Sequence, residues 1–255
     1  YEPPYTERYV RWCKRTARRL ASYFNFLEHI DGKFVNIKIF ERPQMSQKYL
    51  IKKSPRIFLY GLVLAGGKST RMKKDKSLLE YHGKKQVLYC FDLLGQFCDQ
   101  VFISNRKEQS RLAAYRNLPQ IHDVFVDIGP LGGILSAMIR HPEAAWLVLA
   151  CDLPFVREST IKTLIKKRNV LKTATAYRST YEPNLPEPLC TIYEPKALFQ
   201  LLQFLAQGIQ CPRAILCRCD TQLVTQTHNA SLDNVNNPQE YRKALRLIRH
   251  KTGDK

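Results

Sequence analysis

Four lysines and an arginine stand within ten residues of the pair Gly66–Gly67 in the segment LVLAGGKSTRMKKDKSLL, Leu62 to Leu79. Successive glycines let backbone N–H groups turn inward as a concavity for an anion, and Lys or Arg a few residues later adds charge where phosphates would sit. The spacing is neither GxxxxGKS/T nor GxGxxG, so neither the Walker loop nor the dinucleotide fingerprint applies. Tight packing of the next helix is the other use of such glycines. A second candidate is CDLP, Cys151 to Pro154, at the end of the apolar run AAWLVLA. A carboxylate placed at the end of a buried strand is costly unless it meets a cation. Magnesium suits Asp152, because it binds through one or two carboxylates together with substrate phosphates. Capping of the following helix, with Pro154 just inside its first turn, is the alternative. Between the two lies IHDVFVDIGPLGGILSAM, where Asp123 and Asp127 follow a short apolar run and GPLGG opens a helix.

Placing these groups together is the task of the elements around them. From Ile57 onward, short apolar runs alternate with helical stretches. IFLYGLVLA, QVFIS, AAWLVLA, TATAY and PLCTIY read as strands. Residues 86–97, 132–139, 159–167, 196–206 and 238–248 read as helices. Continuous apolar strands separated by helices predict a mainly parallel sheet covered on both faces. Ligands in such sheets bind at the carboxyl ends of the strands, near the switch point in strand order. The AGG loop and CDLP both follow strands and are therefore expected at that edge.

The first 56 residues read differently. Val10, Cys13, Ala17, Leu20, Phe24 and Leu27 recur at a helical period, with Arg11, Lys14, Arg15, Arg18 and Arg19 on the remaining faces. GKFVNIKIF, Gly32 to Phe40, alternates as a half-buried strand, and a linker follows. The segment holds 13 basic and 5 acidic residues. A division into residues 1–56, a basic segment of separate character, and residues 57–255, one α/β domain, follows.

The whole chain of 255 residues has 41 Lys and Arg against 22 Asp and Glu, a formal net charge of +19. Such a field attracts phosphorylated ligands, nucleic acid or anionic surfaces without choosing among them. Cys13, Cys90, Cys98, Cys151, Cys190, Cys211, Cys217 and Cys219 form no CxxC pair, which fits free thiols in a reducing cytoplasm. Cys211, Cys217 and Cys219 lack the paired spacing of structural zinc sites. No apolar run approaches the roughly twenty residues of a membrane span, and no signal peptide is visible.

In order and spacing, LAGGKSTRMKKDKSLL, VFISNR, HDVFVDIGPLGGILSA, LVLACDLPFV, PEPLCTIYEP and NVNNPQEY resemble the molybdenum cofactor guanylyltransferases, or molybdopterin-guanine dinucleotide synthases, over roughly Gly61 to Tyr241. The resemblance implies a three-layer α/β sandwich with a Rossmann-like nucleotidyltransferase sheet. The terminal phosphate of molybdopterin would attack the α-phosphate of GTP, with magnesium, and pyrophosphate would leave. It further implies that Leu64, Ala65 and Gly66, with Gly67 beside them, line the nucleotide, and that Lys76 holds phosphate. Asp123 would contact the nucleoside, Asp152 would bind magnesium, and Arg71 would neutralise the leaving pyrophosphate. Asn105 in ISNRK lies within about two residues of the family's nucleoside-contacting asparagine. Asn234 and Asn236 match a motif near the second substrate, although Asx residues before Pro238 also suit a turn and helix cap.

The chain departs from the family pattern at Lys73, where glycine usually follows RM. If that position needs positive φ, lysine costs roughly 1 kcal/mol or more. The partners implied are molybdenum cofactor delivery proteins or molybdoenzymes, with no membrane and no nucleic acid. Two rivals stand beside this reading. One is a cytidylyl- or sugar-phosphate nucleotidyltransferase, against which LAGG speaks over the LAAG of those relatives. The other is a non-catalytic protein that binds nucleotide or nucleic acid through its positive field, against which the retained Asp152 speaks.

Overall fold

The computed structural model describes residues 57–67, 76–182, 184–226 and 231–252. The chain divides into two compact units, Tyr1–Arg56 with Leu205–Gly208, and Ile57–Phe204 with Ile209–Lys255. The helix and strand expected before Ile57, and the cations Lys68, Arg71, Lys73 and Lys74, lie outside the described residues.

The second unit is built on a seven-stranded sheet. Its strands are β1 (Leu59–Leu64), β2 (Gln100–Asn105), β3 (Gln120–His122), β4 (Ala145–Ala150), β5 (Ala174–Arg178), β6 (Pro186–Tyr193) and β7 (Thr221–Val224). The helices are α1 (Gln86–Gly95), α2 (Pro130–Arg140), α3 (Glu158–Lys166), α4 (Ala197–Ala206), α5 (Pro212–Leu216) and α6 (Pro238–Thr252). The strand order is β3-β2-β1-β4-β6-β5-β7. β1 pairs in parallel with β2 and β4, β2 with β3, and β5 with β7. β6 alone runs antiparallel to its neighbours β4 and β5. The chain builds outward from β1 to β3 and then returns to place β4 on the other side of β1. The switch point therefore falls between the carboxyl ends of β1 and β4, where a crevice opens in sheets of this kind.

β4 is buried along its whole length and β1 along nearly all of it. This is why their sequences are continuous apolar runs rather than alternating ones. One face of the sheet carries Val63, Val101, Ile103, Leu147 and Leu149 against Val87, Cys90 and Leu94 of α1 and Ile161 and Leu164 of α3. On the other face α2 approaches closely enough that a Cβ on Gly133 would meet the Leu64 side chain at 3.0 Å. Helices on both faces give the expected three layers. The sequence reading did not foresee β3, β7 or α5. β3 has three residues with one buried, β7 has four with one buried, and α5 has five, so none is long enough to show a period.

α6 buries Ala244 and Ile248, with Tyr241 and Leu245, against Leu79, Tyr81, Phe155 and Val235. Tyr81 and Tyr241 meet edge to face at 5.1 Å, and the Tyr241 hydroxyl donates to the Glu80 carbonyl at 3.1 Å. This small second core brings the last helix back to the strand ends.

Candidate active site

At the exit of β1 the backbone is committed residue by residue. The Leu64 carbonyl accepts from Cys151 N–H at 3.3 Å, and Ala65 N–H donates to the Ser104 carbonyl at 2.9 Å. The Gln109 amide donates to the Ala65 carbonyl at 3.2 Å, and the Arg106 guanidinium donates to the Gly66 carbonyl. Leu64 to Gly66 thus lead out of the sheet in a fixed path, and Gly67 at its end is exposed. Arg106 and Gln109 were not anticipated as holders of this path. Arg106 lies in the VFISNR motif, but a contact made to backbone carbonyls leaves no pattern of spacing to read.

The ends of β2 and β3 present Asp123. The Ser104 hydroxyl donates to Asp123 Oδ1 at 2.7 Å, and Asp123 N–H donates to the Asn105 carbonyl at 3.0 Å. Burial raises the Asp123 carboxyl above its ordinary range. The Ser104 hydrogen bond and the electrostatic pull of Arg106 and His122 act the other way. The surroundings leave no spare room. A Cβ on Gly66 would stand 2.8 Å from Asp123 Oδ2, and one on Gly133 would stand 2.2 Å from the Ser104 hydroxyl. Gly66 of AGG and Gly133 of GPLGG are glycines because backbone passes against the carboxylate and its donor. Asn105 is placed differently from the expected nucleoside contact. It is wholly buried, its amide donates to Gln120 Oε1 at 2.5 Å, and its Oδ1 lies 2.7 Å from His122 Nδ1. Its side chain pins β3 to β2, and its carbonyl holds Asp123. Asp127 is exposed with φ 60° in the loop before α2.

At the end of β4 stands Asp152, in a turn held from two sides. His82 Nε2 donates to the Pro154 carbonyl at 2.9 Å and the ring stacks on Tyr89 at 3.9 Å. The Tyr89 hydroxyl donates to the Val156 carbonyl at 3.0 Å, and burial lowers the His82 pKa. α3 opens only at Glu158, with Arg157 at its cap, so Asp152 is not that helix's N-cap. Lys76, in a 3-10 turn, brings its ammonium to 3.4 Å from Asp152 Oδ2 and donates to Asn236 Oδ1 at 2.6 Å. Val235 N–H donates to the Asp152 carbonyl at 2.8 Å. Asp152 Oδ1 is buried and has no hydrogen-bond partner among the described residues. Tyr81 adjoins this group. Burial foremost, then the negative fields of Tyr241, Asp152 and Glu240, hold its hydroxyl well above the usual phenol range.

The two readings of NVNNPQEY divide by residue. Asn237 is the helix cap, since its Oδ1 accepts from Glu240 N–H at 2.9 Å just before Pro238 opens α6. Asn236 faces Lys76, while Asn234 is exposed. The expected residues Leu64, Ala65, Gly66, Asp123, Lys76 and Asp152 all lie at the carboxyl edge around the switch point. Arg71 lies outside the described residues. No group of three or more metal-ligating side chains occurs among the described residues. A cation here would rest on Asp152 and on a ligand's own oxygens.

The family model of the MobA-like NTP transferase domain matches residues 61–230. The chain is 39% identical over 183 residues to the molybdenum cofactor biosynthesis bifunctional protein of Synechocystis sp.. That alignment covers 72% of this chain and 52% of the relative, so the chain spans about half of that protein's length. It is 28% identical over 195 residues to the molybdenum cofactor guanylyltransferase of Xanthomonas euvesicatoria, covering 72% of this chain and 93% of the other. Among solved structures, molybdopterin-guanine dinucleotide biosynthesis protein A from Archaeoglobus fulgidus shares the fold with a TM-score of 0.62 and 23% identity, over 75% of this chain and 99% of that one. The matched region holds the whole strand-end constellation from Leu64 to Asp152, and the chain belongs to the MobA-like NTP transferase family.

Proposed function

We propose that the chain transfers GMP from GTP to the terminal phosphate of molybdopterin. An oxygen of that phosphate forms a bond to the α-phosphorus, the bond to the bridging oxygen of the β-phosphate breaks, and pyrophosphate leaves. The observation that carries this reading is Asp152, a carboxylate at the switch point with Oδ2 at 3.4 Å from the Lys76 ammonium and Oδ1 buried without a described partner. An orphaned buried carboxylate oxygen is costly unless a ligand completes it. The donor set fits magnesium, which takes few carboxylates and keeps substrate phosphate oxygens as its other ligands. When bound at Asp152, magnesium would supply neutralisation of triphosphate charge.

The chain's own residues divide the remaining work. Leu64 to Gly67 guide the nucleotide along a fixed backbone, Asp123 accepts donors of the nucleoside, and Lys76 offers its ammonium to phosphate. On the sequence alone, Arg71 is the candidate for the leaving pyrophosphate. In-line displacement needs no protein nucleophile; positioning and electrostatic stabilisation suffice. The name of one relative, molybdenum cofactor guanylyltransferase, supports a guanylyl donor and a molybdenum cofactor acceptor. We further propose a cytoplasmic protein that passes its product to delivery proteins or molybdoenzymes. Seven free thiols among the described residues fit a reducing compartment, and no helix among those residues is long and apolar enough to cross a membrane.

Pyrophosphate release measured with molybdopterin, magnesium and either GTP or CTP tests the assignment, and turnover confined to CTP overturns it. Asp152→Ala is expected to abolish release while leaving most GTP affinity. Near-normal turnover of that variant in magnesium would remove the metal role.

A further inference from the structure

We infer that Glu240 is a positioning residue that sets the Lys76 ammonium through Asn236. In the usual capping box the carboxylate at the third helical position returns to the N–H of the capping residue. Here the cap is Asn237, and the Glu240 carboxylate reaches one residue further. Its Oε2 accepts from Asn236 N–H at 2.6 Å, while Oε1 accepts from the Asn237 amide at 2.6 Å. The residue fixed by that extra reach is the one whose Oδ1 takes Lys76 at 2.6 Å. Val235, one position earlier, is tied to the Asp152 carbonyl. The segment 235–237 is therefore held at three successive residues, with Asn236 aimed at the ammonium between two fixed flanks. A charge-assisted hydrogen bond to a backbone N–H is among the stronger ones available, which suits a support that must not yield.

A plain cap would need only the Asn237 half of this arrangement. The two halves can be cut separately, because Asn237→Ala removes the cap and leaves the Glu240–Asn236 bond. The kinetic arm of the test rests on the guanylyl-transfer reading; a second arm does not.

In the first arm, Glu240→Ala and Asn236→Ala are expected to lower kcat by about tenfold to a hundredfold with little change in KM for GTP, as displacement of a phosphate-holding group does. The double variant is expected to be no worse than Asn236→Ala, since the two act in series. Asn237→Ala is expected to lower the melting temperature as Glu240→Ala does but to keep kcat. Glu240→Gln, which retains one acceptor oxygen, is expected to recover part of the loss. In the second arm, the modification rate of Lys76 by an amine-reactive anhydride is followed by peptide mass spectrometry in the absence of nucleotide. It should rise severalfold, and equally, in Glu240→Ala and Asn236→Ala, and stay unchanged in Asn237→Ala. Wild-type protein inactive with GTP would defeat the activity reading alone, and the labelling arm would still decide the role of Glu240. Equal labelling of Lys76 in all four proteins, or additive losses in the double variant, would overturn the inference.

Discussion

Burial lifts the Asp123 carboxyl while Ser104, Arg106 and His122 pull it back, and the net shift is upward. A carboxyl whose folded pKa exceeds its unfolded value binds protons more tightly when folded. Stability then falls as pH rises from the unfolded value, about 4, through the folded one. Asp123→Asn keeps an acceptor for the Ser104 hydroxyl and removes the charge. It is therefore expected to melt higher than the parent at neutral pH, with the difference shrinking as pH falls through the raised folded value and gone by about 4. Thermal unfolding across pH 3 to 8 checks this, and a parent that melts higher than the variant at pH 7 would reverse the sign. The same variant is expected to lose GTP affinity, a trade of binding against stability. Lys76, Asp123 and Asp152 were singled out because a motif imposes their residue types, and all three stand at the carboxyl edge of the sheet. Asn105 was misplaced because a buried asparagine that ties two strands looks, in sequence, like one offered to a ligand. Ser104, Arg106 and Gln109 were missed because they serve carboxylate or backbone rather than substrate.

Elements carry a second kind of constraint. Arg168, just after α3, makes a two-pronged ion pair with Glu194 at the end of β6, Nε to Oε1 at 2.7 Å and Nη2 to Oε2 at 2.8 Å. The Glu194 side chain is 1% exposed, and its N–H donates to the Thr173 carbonyl at 3.0 Å. Arg168→Ala would strand that carboxylate and is expected to cost about 3–5 kcal/mol in denaturant unfolding. Replacing both partners, as Arg168→Met with Glu194→Gln, is expected to recover most of the loss; a single variant within about 1 kcal/mol of the parent would show that the pair is not what joins α3 to β6. β6 is the one strand that reverses direction, and it also shows what element patterns omit. PLCTIY was legible as a strand from its apolar residues. Its direction was not, because burial on both faces gives the same run whichever way the chain travels. The long helices were found within a few residues of their ends, since a 3.6-residue period persists through them. β3, β7 and α5 exist through pairing and docking with neighbours, not through a period of their own.

At the scale of the whole molecule the charge of +19 is a long-range property that no single contact uses up. It should accelerate encounter with a triphosphate, so the association rate for GTP is expected to fall steeply between low salt and about 0.5 M salt while the dissociation rate changes less. Stopped-flow binding with a fluorescent GTP analogue measures both, and a salt-independent association rate would show that the field does not steer. The other molecular-scale feature is the distance along the chain between the groups that meet at Asp152. Lys76 and Asn236 are 160 residues apart in sequence, and the helix that holds Asn236 comes after every strand of the sheet. Since synthesis runs from the N-terminus, a ribosome that has already made all seven strands has not yet supplied the clamp on Lys76. A message broken after β7 therefore yields a product without Asn236, whose Lys76 ammonium has lost the acceptor that the last helix brings to it.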